Sequence, residues 1–277
     1  MAKKIDNIKR PDVKYTPTSK VGVVSRTNQE SEKKSSGTSI FIFFFILIII
    51  SLGIGVIFSP SFDVVDVVVK DGENVSSGEI STVADVKIGE NILKQNYKSI
   101  VNNVSSIPYI KNVSIKLLFP NKVEIEYEER TPYLLIKYLE SYVVVDKFGY
   151  ILEIKKENDL YDLPVIYGME MDNYELGEML KDTTRIKYQN IIMLLETAKQ
   201  RDFPYSIYEI DYEKISEMKF WIKNIEIDII YGEINKNTIS DKLNYLSGIL
   251  KKIEKRAGKL DISSDNYLEK TIFTERH

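Results

Sequence analysis

The chain has 277 residues, which is enough for about two ordinary domains. It contains no cysteine, and its single histidine is His277. This composition excludes disulfide bonds, a catalytic thiol, thiolate metal sites and a lipid-modified cysteine, and it argues against a multi-histidine metal site. The net charge of −3 conceals a polarity, because residues 1–39 carry nine basic and four acidic side chains and the remainder carries a net charge of −8. Charge divided in this way suggests that a membrane lies between the two ends.

One uninterrupted apolar segment separates these two parts of the chain. Residues 40–58 read IFIFFFILIIISLGIGVIF, and 19 residues of this composition predict a transmembrane helix. A cleaved signal peptide would have a shorter apolar core nearer the N-terminus, and a buried core helix of a soluble domain would have a polar face. Within the segment, Ser51 and Gly55 lie on one helix face, where we predict packing against another membrane helix.

The charges that flank the segment predict its orientation. Two lysines directly precede it, and Asp63 and Asp66 follow it. The positive-inside rule therefore predicts a single-pass protein with its N-terminus in the cytoplasm and residues 59–277 outside. Residues 1–39 show no apolar periodicity and predict a disordered basic cytoplasmic tail that rests on anionic lipid rather than on nucleic acid.

Residues 59–130 predict a first small domain with two helices on one face of a sheet. Its strands are indicated by β-branched or alternating runs, and its helices by a capping box and by apolar residues at helical spacing. The predicted elements are a strand at 62–69, a helix that begins at Ser76-Ser77-Gly78-Glu79, a helix at 91–106, and strands at 113–119 and 122–127.

Residues 131–277 predict a second domain that is richer in strands. The predicted strands lie at 133–138, 141–146, 150–154, 163–165, 206–212, 217–222, 225–231, 259–263 and 267–273, and the predicted helices run from about 183 to 201 and from 238 to about 256. The fold class is therefore α+β: a transmembrane helix, a β-α-α-β-β domain, and a β domain in which two helices pack on a mostly antiparallel sheet.

Several short motifs occur in a recognisable order along these two domains. They are PYIKNVS at 108–114, FPNKVEI at 119–125, ERTP at 129–132, the turn from Asp146 to Gly149, LPVIYG at 163–168 and KLDI at 259–262. In this order and spacing, behind a membrane segment, they resemble the FtsQ/DivIB family of bacterial cell-division proteins from the tail to about Phe273. The chain departs from the family's pattern at Ser263, where an arginine is common, so no role of that arginine is carried over.

The resemblance implies a fold and a function. It implies that the first domain is a POTRA domain and that the protein is a non-enzymatic scaffold without metal, cofactor or small-molecule substrate. Such scaffolds bind FtsB/DivIC-like and FtsL-like partners outside the membrane, are enriched at the division septum, and help to control septal peptidoglycan synthesis. Partners of the family add a strand to the last edge of the β domain, which by position is Tyr267, Leu268, Glu269, Lys270, Thr271, Ile272 and Phe273.

Two alternatives of other classes compete with this interpretation. A membrane-anchored cell-wall enzyme is suggested by Ser216-x-x-Lys219, Ser264-Asp265-Asn266 and Lys270-Thr271, which imitate penicillin-binding motifs, although the first pair enters a strand pattern and no glycine follows the last. The carboxylates Glu124, Glu126 and Glu128 alternate with apolar residues, which is typical of the solvent face of a strand rather than of acid–base catalysis. Another POTRA-bearing translocation or assembly component is the second alternative, but the chain has no room for a barrel or for repeated POTRA units.

Overall fold

The computed structural model describes residues 36–157, 161–171 and 174–276. Helix α1 (Ser36–Ile57) contains the predicted membrane segment, and within the described part of the chain it is the one helix long and apolar enough to cross a bilayer. Residues after Gly55 form a separate compact unit. Residues 1–35 of the predicted cytoplasmic tail lie outside the described residues.

The first sheet has the predicted β-α-α-β-β order. Its strand order is β1-β3-β2, in which β1 is parallel and β2 antiparallel to the central β3. Apolar side chains of the two helices and of the strands meet in one buried cluster. The elements are β1 (Asp66–Val69), α2 (Ser77–Ala84), α3 (Tyr97–Ser105), β2 (Ile110–Leu118) and β3 (Lys122–Glu129).

Local hydrogen bonds explain where these helices begin. Ser76 caps α2 as predicted, because its hydroxyl accepts a hydrogen bond from the backbone N–H of Glu79 at 3.2 Å. The helix predicted at 91–106 was wrong in its first turn and a half, because α3 begins only at Tyr97. The side chain of Asn91 accepts from the N–H of Leu93, and that of Gln95 bonds both N–H and C=O of Lys87, so these amides hold residues 87–95 as a loop.

The second sheet has nine strands in the order β12-β11-β10-β9-β8-β7-β4-β5-β6. Five of its eight strand pairings are antiparallel and three are parallel, so the sheet is mixed and mostly antiparallel. Two long helices pack on it, as predicted, and a third helix of one turn was not predicted. The elements are β4 (Pro132–Tyr138), β5 (Ser141–Asp146), β6 (Ile151–Lys155), β7 (Val165–Tyr167), α4 (Asp182–Gln200), β8 (Ile207–Asp211), β9 (Lys219–Ile222), β10 (Ile227–Ile230), α5 (Ile239–Ile253), β11 (Gly258–Asp261), α6 (Tyr267–Lys270) and β12 (Ile272–Glu275).

Strands β4 and β5 and the first two residues of β6 are buried on both faces, which explains the apolar runs at 134–136 and 143–145. On one face Ile136 and Val143 join the core beneath α4. On the other face Leu135, Val144 and Leu152 join the core of the first sheet. Strands covered on both faces lose the alternation of polar and apolar residues. The two sheets therefore share a hydrophobic core through these three strands.

A buried ion pair lies where the chain passes from the first sheet to the second. The guanidinium of Arg130 contacts the Asp146 carboxylate at 2.8 Å, and their side chains are 10% and 4% exposed. The guanidinium also stacks 3.4 Å from the ring centroid of Tyr150. The other carboxylate oxygen of Asp146 accepts from the N–H groups of Phe148 and Tyr150, so the buried charge is both paired and hydrogen-bonded.

We predict that Arg130→Met lowers the free energy of unfolding by about 3–5 kcal/mol, because it leaves the Asp146 carboxylate buried without its counter-charge. Arg130→Lys keeps the charge but not the planar stacking on Tyr150, so its loss is intermediate. Chemical unfolding of the detergent-solubilised chain, followed by circular dichroism, measures both. Lys116→Ala, which removes an exposed ion pair with Glu126, is the control and changes stability little. An Arg130→Met protein as stable as this control would contradict the prediction.

Candidate partner-binding edge

The predicted edge strand at 267–273 is in fact two elements. Residues Tyr267–Lys270 form the one-turn helix α6, and the strand begins only at Ile272 and continues to Glu275. The strand prediction was therefore wrong for its first five residues, and the edge strand is shifted towards the C-terminus.

Tertiary packing and side-chain hydrogen bonds explain the helical turn. Tyr267 is buried against Tyr245, with ring centroids 5.1 Å apart, which requires the chain to turn inward at this point. The Asn266 side chain donates to the Glu269 carboxylate, and the Thr271 hydroxyl donates to the C=O of Tyr267. Such local bonds compete with strand pairing and override the modest β-propensity of the segment.

Below α6 lies a buried lysine that the sequence did not single out. Lys242 of α5 is 5% exposed, and its ammonium donates to the C=O of Tyr231 at 2.6 Å. It also lies 4.4 Å from the ring centroid of Tyr231 and 5.7 Å from that of Tyr267. Burial lowers the pKa of Lys242, and the carboxylates of Asp265 and Asp261 oppose this shift. Lys242 therefore links α5 to the turn from which the edge strand starts.

Strand β12 is the last strand of the nine-stranded sheet and pairs only with β11 among the described strands. The N–H of Arg276 donates to the C=O of Ala257 at 2.9 Å. Along an antiparallel strand, every second residue directs its backbone N–H and C=O groups to the neighbouring strand. Like Arg276, Ile272 and Thr274 therefore direct these groups inward to β11. Phe273 and Glu275 consequently present theirs at the free edge.

Close packing and a charged contact hold β12 against the sheet. A Cβ at Gly258 would lie 2.4 Å from the C=O oxygen of Thr274, so only glycine permits this approach of the two strands. The Arg276 guanidinium contacts the Asp228 carboxylate at 2.6 Å, and the indole N–H of Trp221 donates to the other oxygen of that carboxylate. Trp221 of β9 is therefore linked to Asp228 of β10 across the sheet face. The contact between Arg276 and Asp228 therefore connects the C-terminal end of the edge strand to β10.

The predicted edge residues differ in what they present to solvent. Leu268 and Ile272 are large apolar side chains that are 66% and 61% exposed. Phe273 is half-buried against the core, and Glu269 and Lys270 are exposed. The edge thus combines free backbone groups with two solvent-facing apolar side chains, the composition expected of a strand-addition surface.

The other end of the same sheet is partly closed. At the free side of β6, the N–H of Ile151 donates to the C=O of Glu178, and the C=O of Ile151 accepts from the N–H of Gly177. Leu180 donates its N–H to the C=O of Gly149. A loop therefore occupies backbone groups at the β6 edge, whereas β12 has no such cover among the described residues.

The residues of the enzymatic alternative lie in separate elements of the β domain. Lys219 opens β9 and its ammonium lies 3.8 Å from the Asp211 carboxylate. Ser264 follows β11, and Lys270 ends α6. On β3, Glu126 and Glu128 bond Lys116 and Lys111, and these bonds lower the pKa of both carboxyls, the reverse of what a general acid requires. The alternating carboxylates belong to the solvent face of a strand, as predicted.

The predicted membrane-packing pair lies in α1. Ser51 and Gly55 are four residues apart in this helix and hence share a face. A Cβ added at Gly55 would meet no atom within 4 Å in the described structure, so the close approach that glycine allows is not used within this chain.

Comparison with known proteins follows the same division of the chain. Residues 62–130 match the family model described as POTRA domain, FtsQ-type. These residues form a POTRA domain that is similar to the FtsQ type. The resemblance to the FtsQ/DivIB family that the sequence motifs predicted is thereby confirmed, and it extends well beyond the POTRA domain.

Relatives are similar to the chain over most of its length. The cell division protein DivIB of Clostridium acetobutylicum is 28% identical over 205 residues, which cover 74% of this chain and 80% of that protein. DivIB of Clostridium tetani is 28% identical over 199 residues, with 72% and 74% coverage. The cell division protein FtsQ of Geobacter sp. (strain M21) is 27% identical over 202 residues, with 72% and 71% coverage.

The buried lysine beneath the edge predicts a pH-dependent stability. Because the folded-state pKa of Lys242 is lowered from 10.5, the unfolded chain binds more protons just below pH 10.5, and the free energy of unfolding should rise with pH there. We expect wild type to gain stability relative to Lys242→Met between pH 7 and pH 10, by less than about 1.4 kcal/mol per pH unit. Urea unfolding at a series of pH values measures the difference.

Lys252→Met is the matched control, since Lys252 lies on the same helix and is exposed. Its stability difference from wild type should not change with pH over this range. If the difference in free energy of unfolding between wild type and Lys242→Met also does not change with pH, the burial of a charged ammonium at this position is contradicted.

Proposed function

We propose that this protein is a non-enzymatic scaffold of the bacterial division machinery. In this proposal α1 anchors it in the cell membrane with the N-terminus in the cytoplasm, residues 59–130 form its POTRA domain, and residues 131–277 form the partner-binding β domain. It acts at the septum, where it binds FtsB/DivIC-like and FtsL-like proteins and helps to control septal peptidoglycan synthesis. Relatives named cell division protein DivIB or FtsQ support a division role.

The free edge of β12 is the observation that carries the partner-binding part of this proposal. Two residues, Phe273 and Glu275, offer outward N–H and C=O groups, and the exposed Leu268 and Ile272 lie beside them in sequence. An added strand from an FtsB/DivIC-like partner would satisfy these backbone groups, and its alternate side chains would provide selectivity. Membrane anchoring of both proteins raises their local concentration, so a short strand pairing suffices.

Proline scanning tests the edge more sharply than truncation does. Deletion from residue 267 would remove the buried Tyr267, so a loss of binding would not separate folding from recognition. Glu275→Pro removes an outward N–H, whereas Thr274→Pro removes an inward N–H that pairs with β11. We expect Glu275→Pro to weaken binding of the DivIC-like partner by about tenfold or more, with an unchanged thermal midpoint.

Two controls complete this experiment. Glu275→Val keeps the backbone N–H and should bind almost as wild type does, while Thr274→Pro should lower the thermal midpoint. Affinity is measured by titrating the detergent-solubilised full chain with the purified partner. If Glu275→Pro binds as tightly as Glu275→Val, strand addition at this edge is refuted.

The membrane face of Ser51 and Gly55 is proposed to pack against the membrane helix of the FtsL-like partner. Gly55→Leu would separate the two helix backbones and should reduce recovery of that partner from detergent extracts several-fold. Gly53→Leu is the matched control, because residue 53 lies on the opposite side of the helix. Equal recovery with both variants would exclude this face as the contact.

A further inference from the structure

The POTRA domain exposes large apolar side chains at only one of its ends. At this end β1 begins beside the hairpin that joins β2 to β3. Helix α2 runs back to the same end, where the loop from α2 to α3 also lies. The exposed large hydrophobic residues that the structure describes in residues 62–130 lie in these connecting segments or, in the case of Leu118, at the adjoining end of β2. They are Val65, Ile88, Leu93, Leu118 and Phe119, hereafter the apolar end.

Hydrogen bonds hold the segments of the apolar end together. The N–H of Val64 donates to the C=O of Glu90, and the N–H of Val65 donates to the C=O of Asn121, each at 3.0 Å. The rings of Phe62 and Phe119 meet edge to face with centroids 6.4 Å apart. The exposed residues therefore belong to one continuous surface rather than to scattered positions.

The same surface contacts the end of the apolar segment of the chain. The Asn91 side chain donates to the C=O of Ile57 at 3.1 Å, and the ammonium of Lys94 lies 5.3 Å from the ring centroid of Phe58. Residues 56–58 belong to the same compact unit as the POTRA domain. Ile57 is the last residue of the candidate span, so these contacts join the apolar end to the residues that directly follow the apolar helix in sequence.

The number of connecting residues also limits the distance between the end of α1 and the POTRA domain. Only residues 58–61 separate Ile57 from Phe62, and the Cα atoms of these two residues can be at most about 18 Å apart when the chain is extended. Pro60–Phe62 form a 3₁₀ turn, which shortens this reach. The interfacial layer of a bilayer is roughly 5–8 Å thick on each side of the hydrocarbon, so an apolar end tethered by so few residues is within reach of this layer.

The charges of the apolar end are nearly balanced. Lys87 is paired with Asp85 at 2.6 Å, and Lys122 with Asp66 at 3.0 Å. Lys94 covers the Phe58 ring, and Glu90 is exposed. Any contact of the apolar end with a bilayer is therefore driven mainly by burial of its apolar side chains and not by attraction to anionic headgroups.

We propose that the apolar end of the POTRA domain is a lipid-contacting face that seats the domain in the interfacial layer of the bilayer that α1 spans. The side chains of Val65, Ile88, Leu93, Leu118 and Phe119 are immersed at the boundary of headgroups and acyl chains. This inference rests on the membrane anchoring of the proposed function. It assigns a second membrane contact, which restrains the tilt of the POTRA domain relative to the bilayer surface.

The absence of cysteine allows a direct test with the full-length chain. Phe119→Cys and Phe148→Cys form a matched pair, because both phenylalanines are 59% exposed and only Phe119 belongs to the apolar end. Each variant is labelled with an environment-sensitive fluorophore and reconstituted in nanodiscs of neutral phosphatidylcholine, one protein per disc. A lipid-attached nitroxide should quench the label at 119 several-fold more than the label at 148, and aqueous iodide should show the reverse order.

A second matched pair protects the test against misfolding of one variant. Ile88→Cys lies at the apolar end and Leu139→Cys on the second domain, and both side chains are exposed. Recovery of protein in the nanodisc fraction reports α1 anchoring separately from the label. Equal iodide access at all four positions in anchored protein would overturn the proposal. Protection at 119 and 88 only in discs with two copies would also overturn it and identify a second copy of the chain as the occupant.

Discussion

The ion pair between Arg130 and Asp146 connects the two halves of the folded unit. Arg130 ends the POTRA domain, and Asp146 organises the turn that joins β5 to β6. A second polar link supports the first, since the hydroxyl of Tyr109 donates to the Glu153 carboxylate of β6 at 2.6 Å. Charges buried this deeply are tolerated only when every oxygen has a partner, so the junction specifies one arrangement of the two sheets. Two sequence motifs that are 14 residues apart, ERTP and the turn at Asp146–Gly149, are thus parts of one interaction.

Apolar packing in a shared core also connects the two domains. Strands β4 to β6 contribute one face to the POTRA core and the other to the core beneath α4. A substitution on the face that joins the POTRA core affects a layer that belongs to both domains. This explains why β4 and β5 contain continuous apolar runs, whereas β8 and β11 alternate apolar with charged residues.

The sequence was most informative where the structure is local or periodic. The uncharged apolar segment, the capping box at Ser76 and the alternating carboxylates of β3 each follow from a short pattern and an elementary physical rule. The late start of α3 and the helical turn of α6 depend instead on side-chain bonds from Gln95 and on packing of Tyr267, which no short pattern specifies. The identity of the free edge was predicted from position along the chain, but the residues with outward backbone groups required the register between β11 and β12.

In the proposed function the β12 edge recruits a strand of a partner, and such an edge must also avoid recruiting the wrong strand. In β12 the strand is four residues long, and Lys270 and Arg276 flank it with positive charge. Short length and charge are the usual protections of natural edges against aggregation. The opposite edge, at β6, is occupied by backbone bonds from residues 177–180, so addition of a strand is favoured at one end of the sheet. The contacts of Tyr267 with Lys242 and of Arg276 with Asp228 then hold this short strand in register before any partner arrives. Ordering that is already complete in the free protein lowers the entropic cost of binding, which allows a strand of four residues to serve as a specific interface.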